Sequence, residues 1–188
     1  MRAAQYYGNE DIRVEEIEAP SVGPDDVRID VAAAGICGTD LHEYAAGPIL
    51  APVEEPHHIT GEKVPIGLGH EFSGVIDEVG ENVEDITPGD RVTVNPMLAC
   101  GECRYCYEGR YNVCANLGFV GLSGRGGGFA EQVSVPARNV TQLPPGVSLE
   151  AGALVEPLTV GLHAVRQSPL EAGDSVAVFG TGPLGLAV

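Results

Sequence analysis

Cys100-Gly101-Glu102-Cys103-Arg104-Tyr105-Cys106-Tyr107-Glu108-Gly109-Arg110-Tyr111-Asn112-Val113-Cys114 is the stretch on which the reading of this chain turns. Its first three cysteines stand three residues apart, and the fourth follows eight later. Three thiolates so close can wrap one ion in a tight turn. The fourth closes a tetrahedron from the far side of a small lobe. Zinc accepts four sulfurs without a strong geometric demand of its own, and structural zinc sites are closed in this way. Gly101 and Gly109 supply the backbone freedom of the lobe. An iron–sulfur cluster is the alternative, because the first three cysteines match the start of a ferredoxin run. That run places its fourth cysteine four residues on, before a proline. Here Ala115 follows Cys114, and no second cysteine run exists. A disulfide framework belongs to a small secreted protein, and a thioredoxin-like pair needs a different fold context.

Outward from the lobe, composition narrows the classes. The 188 residues allow one domain, or one domain and a piece of another. The chain is 44% hydrophobic with 26 glycines and 14 prolines, enough for a core built from short strands and many turns. No run of about twenty apolar residues occurs, so no membrane span is expected. The opening Met1-Arg2-Ala3-Ala4-Gln5 soon turns acidic, unlike a secretory signal, which places the chain in the cytoplasm. A net charge of −17, from 27 acids and 10 bases, argues against a nucleic-acid partner. The same balance fits either an acidic soluble enzyme or a salt-adapted protein.

Val27, Ile29 and Val31 alternate with Arg28 and Asp30, a half-buried strand pattern. Arg2 to Tyr7, Ile12 to Ile17, Phe72 to Val79, Arg91 to Val94 and Phe129 to Val135 read as further strands. Many short strands at close spacing predict a mainly β, barrel-like domain rather than a βαβ array. The Pro-, His- and Glu-rich segment from Gly47 to Gly69 reads as a long surface loop, with His57 and His58 in solvent. Ser148 caps a helix starting at Leu149, Pro157 marks a kink or restart, and Pro169 closes the segment. His163 lies on that helix in a packing or surface role. Ser175 to Phe179 reads as a strand leading into Gly180-Thr181-Gly182-Pro183-Leu184-Gly185, which opens a helix.

The fifth cysteine is Cys37, in Gly35-Ile36-Cys37-Gly38-Thr39-Asp40-Leu41-His42. Alone it reads as a buried free thiol. Gly69-His70-Glu71-Phe72 and Val155-Glu156-Pro157 add an imidazole and two carboxylates. Cysteine, histidine and carboxylate are a ligand set for catalytic zinc with an open fourth position. With these motifs, the lobe and the glycine turn, the whole chain resembles the zinc-dependent medium-chain alcohol dehydrogenases. Within them it looks most like the 2,3-butanediol dehydrogenases, through Tyr44-Ala45-Ala46-Gly47-Pro48-Ile49 and the loop that follows. Sorbitol and threonine dehydrogenases are the near relatives.

The resemblance implies a GroES-like, partly open β-barrel catalytic domain over residues 1–154, with a zinc lobe. It implies the truncated start of a Rossmann α/β domain over 155–188. Catalytic zinc would be held by Cys37 and His70, with Glu71 and Glu156 sharing the carboxylate role. Structural zinc would be held by Cys100, Cys103, Cys106 and Cys114, giving two zinc ions per chain. Thr39 would take the proton of the alcohol and His42 would relay it outward, while Asp40 holds backbone or a ligand. Gly180, Gly182, Pro183, Leu184 and Gly185 would meet the pyrophosphate of NAD or NADP, the residue that chooses between them falling about twenty positions further on. The implied substrate is a secondary alcohol or vicinal diol, and the full-length protein is expected to be a homo-oligomer, a dimer or tetramer. The 188 residues are too few to close the cofactor sheet, so a non-catalytic, zinc-stabilised module is the competing reading.

Overall fold

Alternate residues of the Val27–Val31 stretch point to opposite faces, and this stretch builds the central strand of the molecule. The computed structural model describes all 188 residues. Its strands are β1 (Arg2–Gly8), β2 (Asp11–Glu16), β3 (Asp26–Gly35), β4 (Ile66–Gly67), β5 (Glu71–Val79), β6 (Arg91–Val94), β7 (Met97–Leu98), β8 (Gly118–Phe119), β9 (Gln132–Pro136) and β10 (Val140–Gln142). The helices are α1 (Gly38–Ala46), α2 (Arg104–Tyr107), α3 (Leu149–Ala153), α4 (Val155–Gln167) and α5 (Pro183–Ala187).

Five strands form a sheet in the order β10-β6-β5-β3-β9, and three form another in the order β2-β1-β4. The residues ahead of β9 join the two sheets. Ala3 bridges Ala130, and the Ala4 N–H donates to Phe129 O at 2.8 Å. The result is a mainly β, partly open barrel, as the strand spacing predicted. Val27, Ile29, Phe72, Ile76, Val92, Val94, Val133 and Val135 fill it, each no more than 2% exposed. Full burial of such a side chain is worth about 1.5–3 kcal/mol. A one-residue slip of any strand would expose its whole apolar set, so this burial also fixes the register. Tyr6, Ala51, Ile66, Leu68 and Leu122 form a second cluster under β1 and β4. No helix is long and apolar enough to cross a membrane.

Ser148 caps α3 as expected, its Oγ accepting the Ala151 N–H at 3.1 Å. The helical run breaks at Leu154 and restarts as α4, with Pro157 in the first turn, where the missing N–H leaves no bond unmade.

Three expectations fail. The Gly47–Gly69 segment is not a surface loop throughout, because Ala51, Ile66 and Leu68 are buried and β4 pairs with β1 at Gln5 and Tyr6. Apolar side chains at its two ends pull them under the barrel. Phe129 to Glu131 leave the strand read over Phe129–Val135, since their backbone bonds reach β1 and Val31 instead. Ser175 to Phe179 form no strand, and Val176, Val178 and Phe179 are 53%, 46% and 98% exposed. A strand needs a neighbour to take up its N–H and C=O groups, and no strand lies beside this segment. The glycine turn therefore follows irregular backbone. α5 still opens at Pro183, with Gly182 as its cap.

One irregularity sets up the site. The pairing of β3 with β5 shifts register between Arg28 and Ile29 and again between Val31 and Ala33. Such bulges bend and twist a strand. The bent end of β3 pairs Gly35 with Glu71, which brings Cys37, two residues on, to the edge where His70 enters β5.

Candidate metal centres

Cys37 is the N-cap of α1, and its N–H donates to Asp40 Oδ2 at 2.9 Å. Asp40, 3% exposed, also accepts the Gly69 N–H through Oδ1 at 3.3 Å. The same oxygen lies 3.4 Å from His70 Nδ1, off the line of a hydrogen bond. One carboxylate thus touches both segments that carry candidate ligands, as expected for Asp40. Ligand atoms of Cys37, His70 and Glu71 all lie within 4.8 Å of one another. Glu71 reaches this position by lying across Gly35, where a Cβ would collide with its Oε2.

The donor set suits a cation. Burial disfavours the charged His70 imidazole, but Asp40 and the Cys37 thiol outweigh it and raise its pKa to about 10. A metal ion can take the place of that proton. Three protein donors of thiol, imidazole and carboxylate type leave a fourth position open, the pattern of catalytic zinc. An outer carboxylate beside the imidazole, here Asp40, is the usual companion of a metal-bound histidine.

Glu156 stands outside the close trio, half-buried in the first turn of α4. Burial raises its carboxyl pKa, His70 lowers it, and Glu71 and Asp40 raise it again. It is therefore within electrostatic reach of the trio. Glu156 also lines a cleft of about 520 Å³ with Thr159 and His163 of α4 and Thr93 and Asn95 at the end of β6. Thr39 Oγ1 is 3.6 Å from Cys37 Sγ. His42 is exposed, three residues further along α1. Gly180, Gly182, Pro183 and Leu184 are exposed and Gly185 half-buried, with no side chain of the trio gathered to them.

The second centre is the cysteine lobe. Cys103 caps α2, Cys106 lies within it, and Cys114 follows the 3-10 turn Tyr111–Val113. All four cysteines are free thiols. Neighbouring sulfurs are 3.6 Å apart for Cys103–Cys106, 4.0 Å for Cys103–Cys114, 4.0 Å for Cys100–Cys106 and 3.4 Å for Cys100–Cys114. A tetrahedron with Zn–S bonds of about 2.3 Å has edges of about 3.8 Å. The measured spacings straddle that value. An iron–sulfur cube, which spreads its cysteines over separate irons, is too large for sulfurs in mutual contact. The N–H groups of Cys100, Ala115 and Asn116 donate to sulfurs at 3.4, 3.5 and 3.4 Å. Backbone donation of this kind lowers the Cys103 pKa to about 6, while burial raises that of Cys106 to about 12. A cation amid the four sulfurs would stabilise every thiolate at once.

Of the two loop histidines, His58 meets the expectation and His57 does not. His58 is exposed, its Nε2 3.2 Å from Glu102 Oε1 of the lobe. His57 is half-buried, with its ring against Gly118 and its Nδ1 accepting the Ile59 N–H at 3.3 Å. A ring that a neighbouring glycine admits leaves solvent, and nothing local in the sequence signals it. Sequence reasoning also missed Glu43, which is fully buried. Its one signal is the three-residue spacing from Asp40, which puts both acids on one face of α1.

Residues 23–145 match the family profile described as alcohol dehydrogenase GroES-like domain. The chain is 52% identical, over all of its length, to the (R,R)-butanediol dehydrogenase of Bacillus subtilis (strain 168), covering 53% of that protein. It is 45% identical to the (R,R)-butanediol dehydrogenase of Neisseria gonorrhoeae, covering 99% of this chain and 53% of that one. The crystal structure of 2R,3R-butanediol dehydrogenase from Bacillus subtilis superposes with a TM-score of 0.94 at 51% identity, over 99% of this chain and 52% of that one. The chain thus spans about half the length of the curated relatives it matches. With the profile matching well over half of its residues, the chain belongs to the zinc-type medium-chain alcohol dehydrogenases, whose GroES-like domain it carries.

Proposed function

We propose that this chain is the amino-terminal part of a zinc-dependent dehydrogenase that oxidises a secondary alcohol or vicinal diol of the 2,3-butanediol type, with NAD or NADP as hydride acceptor. The observation that carries this reading is the meeting of Cys37, His70 and Glu71 within 4.8 Å. Residues 1–154 would form the catalytic domain and 155–188 the start of the cofactor domain. Cys37, His70 and Glu71 would hold the catalytic ion, with Glu156 near enough to exchange with Glu71 or act through water. Cys100, Cys103, Cys106 and Cys114 would hold a structural ion. Zinc bound at the first site supplies Lewis acidity toward an alcohol oxygen.

The chain's own groups do the rest. The Thr39 hydroxyl would accept the alcohol proton, a role supported by its lying 3.6 Å from Cys37 Sγ. His42, exposed one turn further on, would pass it to solvent, an imidazole being able both to take up and to release a proton. Asp40 keeps Cys37 and the Gly69–His70 backbone in place. Gly180, Gly182, Pro183, Leu184 and Gly185 let backbone approach a pyrophosphate. Five free thiols fit a reducing compartment, which supports the cytoplasm. The exposed Tyr105, Tyr107 and Tyr111 of the lobe support a homo-oligomer, dimer or tetramer, in the longer protein.

The test is diol oxidation by the longer protein containing this chain, assayed with NAD and NADP separately. Activity lost on chelation and restored by zinc supports the reading; no diol oxidation with either cofactor overturns it. The 188-residue chain alone is expected to bind zinc with little or no turnover. Its exposed 175–179 segment favours a non-catalytic role for it in isolation.

A further inference from the structure

A cavity of about 500 Å³ opens between β9, the start of β1 and the segment Ile17–Gly23. Its lining shares no residue with the Cys37–His70–Glu71 trio or with the cleft at Glu156. Its size is that of a small-molecule site. Val133 and Val135 point into the barrel core, so Ser134 between them points to the other face of β9. Ile17–Gly23 crosses that face as a strap. The Ile17 N–H donates to Met1 O and the Met1 ammonium to Ile17 O, each at 2.8 Å. Arg28, opposite Ser134 in the sheet, reaches Pro20 O at 3.4 Å.

The charged groups of the inner wall are already paired. Arg125 Nη1 donates to Asp26 Oδ2 at 2.7 Å, and the Arg125 N–H to Glu62 Oε1 at 3.1 Å. These bonds hold Arg125 at a φ of 64°, a left-handed conformation uncommon outside glycine. Such an outlier persists only where its surroundings over-determine it. The Thr60 hydroxyl is also engaged, donating to Ser123 O at 2.7 Å. Two neutral groups are not. The Ser134 hydroxyl is buried with no hydrogen-bond partner in the fold, its residue 7% exposed. The Gln5 carboxamide, in a residue 9% exposed, makes no side-chain hydrogen bond either. Both residues line the cavity. A buried polar group left unpaired costs about 1–3 kcal/mol.

We propose that this cavity is a second, non-catalytic binding site, for a small neutral polyhydroxyl compound such as a sugar or sugar alcohol. The Ser134 hydroxyl and the Gln5 carboxamide each donate and accept, as a ligand hydroxyl requires. The Arg125–Asp26 pair closes the wall without a net charge, which favours neutral ligands over ions. The site uses no residue of either metal centre and stands independently of the dehydrogenase reading.

The test is an NMR titration of the zinc-loaded 188-residue chain with glucose and, separately, with erythritol. Saturable shifts are expected at the Gln5 side-chain amide and at the backbone amides of Gly126, Gly127 and Ser134. Those of Thr39 and His70 should stay in place. Ser134→Ala should weaken binding about 10-fold, the loss of one hydrogen bond. It leaves no protein partner unmade, so the variant should fold. Gln5→Met should weaken binding to a similar degree. No saturable shift with either compound overturns the site, as do shifts that survive both substitutions. Shifts centred on Thr39 and His70 would place the ligand at the metal centre and overturn it as well. Acetate or guanidinium moving the Gln5 and Ser134 signals as strongly as the polyols would overturn the assignment to a neutral ligand.

Discussion

The two candidate metal centres are built in opposite ways. The lobe draws four ligands of one type from fifteen consecutive residues, Cys100 to Cys114, and its sulfurs sit in mutual contact at 3.4 to 4.0 Å. The other centre draws three ligands of three types from the end of β3 and the start of β5, and two of them, Cys37 and His70, are 33 residues apart in sequence. The first would close around an ion and leave nothing for a substrate. The second needs bulged β3, Gly35 and Asp40 to assemble it, and with three donors it would keep a fourth position open. A local site is held by its ligands, whereas an assembled site is held by the fold behind it.

The difference predicts unequal responses to mutation. Cys106→Ser should have the largest effect. Structural zinc contributes about 10 kcal/mol or more to the folding of metal-dependent peptides. Loss of the lobe ion should leave residues 100–114 open to protease and fast amide exchange, while the Cys37 site keeps its metal. A lobe that stays protected after this substitution would break the comparison.

Asp40→Ala should come next, because it orphans the half-buried Cys37 amide and the buried Gly69 amide. The expected cost is about 2–4 kcal/mol in denaturant unfolding. Metal affinity at the Cys37 site should fall about 10- to 100-fold, with the lobe ion retained. Equal loss at both centres would show that they are not independent.

Gly35→Ala is narrower. Its Cβ would collide with the Glu71 carboxylate oxygen and press on the Glu71 Cβ at 3.3 Å. Affinity at the Cys37 site should drop about 10-fold with stability changed by less than about 1 kcal/mol. Unchanged affinity, read by metal competition, would move the carboxylate role from Glu71 to Glu156. Ser148→Ala is the smallest and serves as the control. It removes the α3 cap, costing about 1 kcal/mol by thermal unfolding, and both centres should keep their ions.

The same contrast decides what the sequence disclosed. The lobe was legible because spacing over fifteen residues already fixes how far apart the thiols can be. The trio was legible only as residue types, and the bulges of β3 that bring it together leave no mark in the pattern. Val27, Ile29 and Val31 announced their strand, since alternation is a local property. Ser175 to Phe179 have the composition of a strand but not the neighbour, and only tertiary structure supplies one. Asp40 was expected to hold backbone or a ligand, and it holds the backbone of Cys37 and Gly69. Glu43, one helical turn on, was indistinguishable from any acid on a surface helix, although it is the more deeply buried of the two.

Metal analysis of the purified 188-residue chain and of its Cys37→Ser variant decides whether the two centres exist as described. Two zinc ions per chain, falling to one in Cys37→Ser while the lobe stays protected, is the expected result. A single ion that persists in Cys37→Ser, or iron in place of zinc, would contradict it.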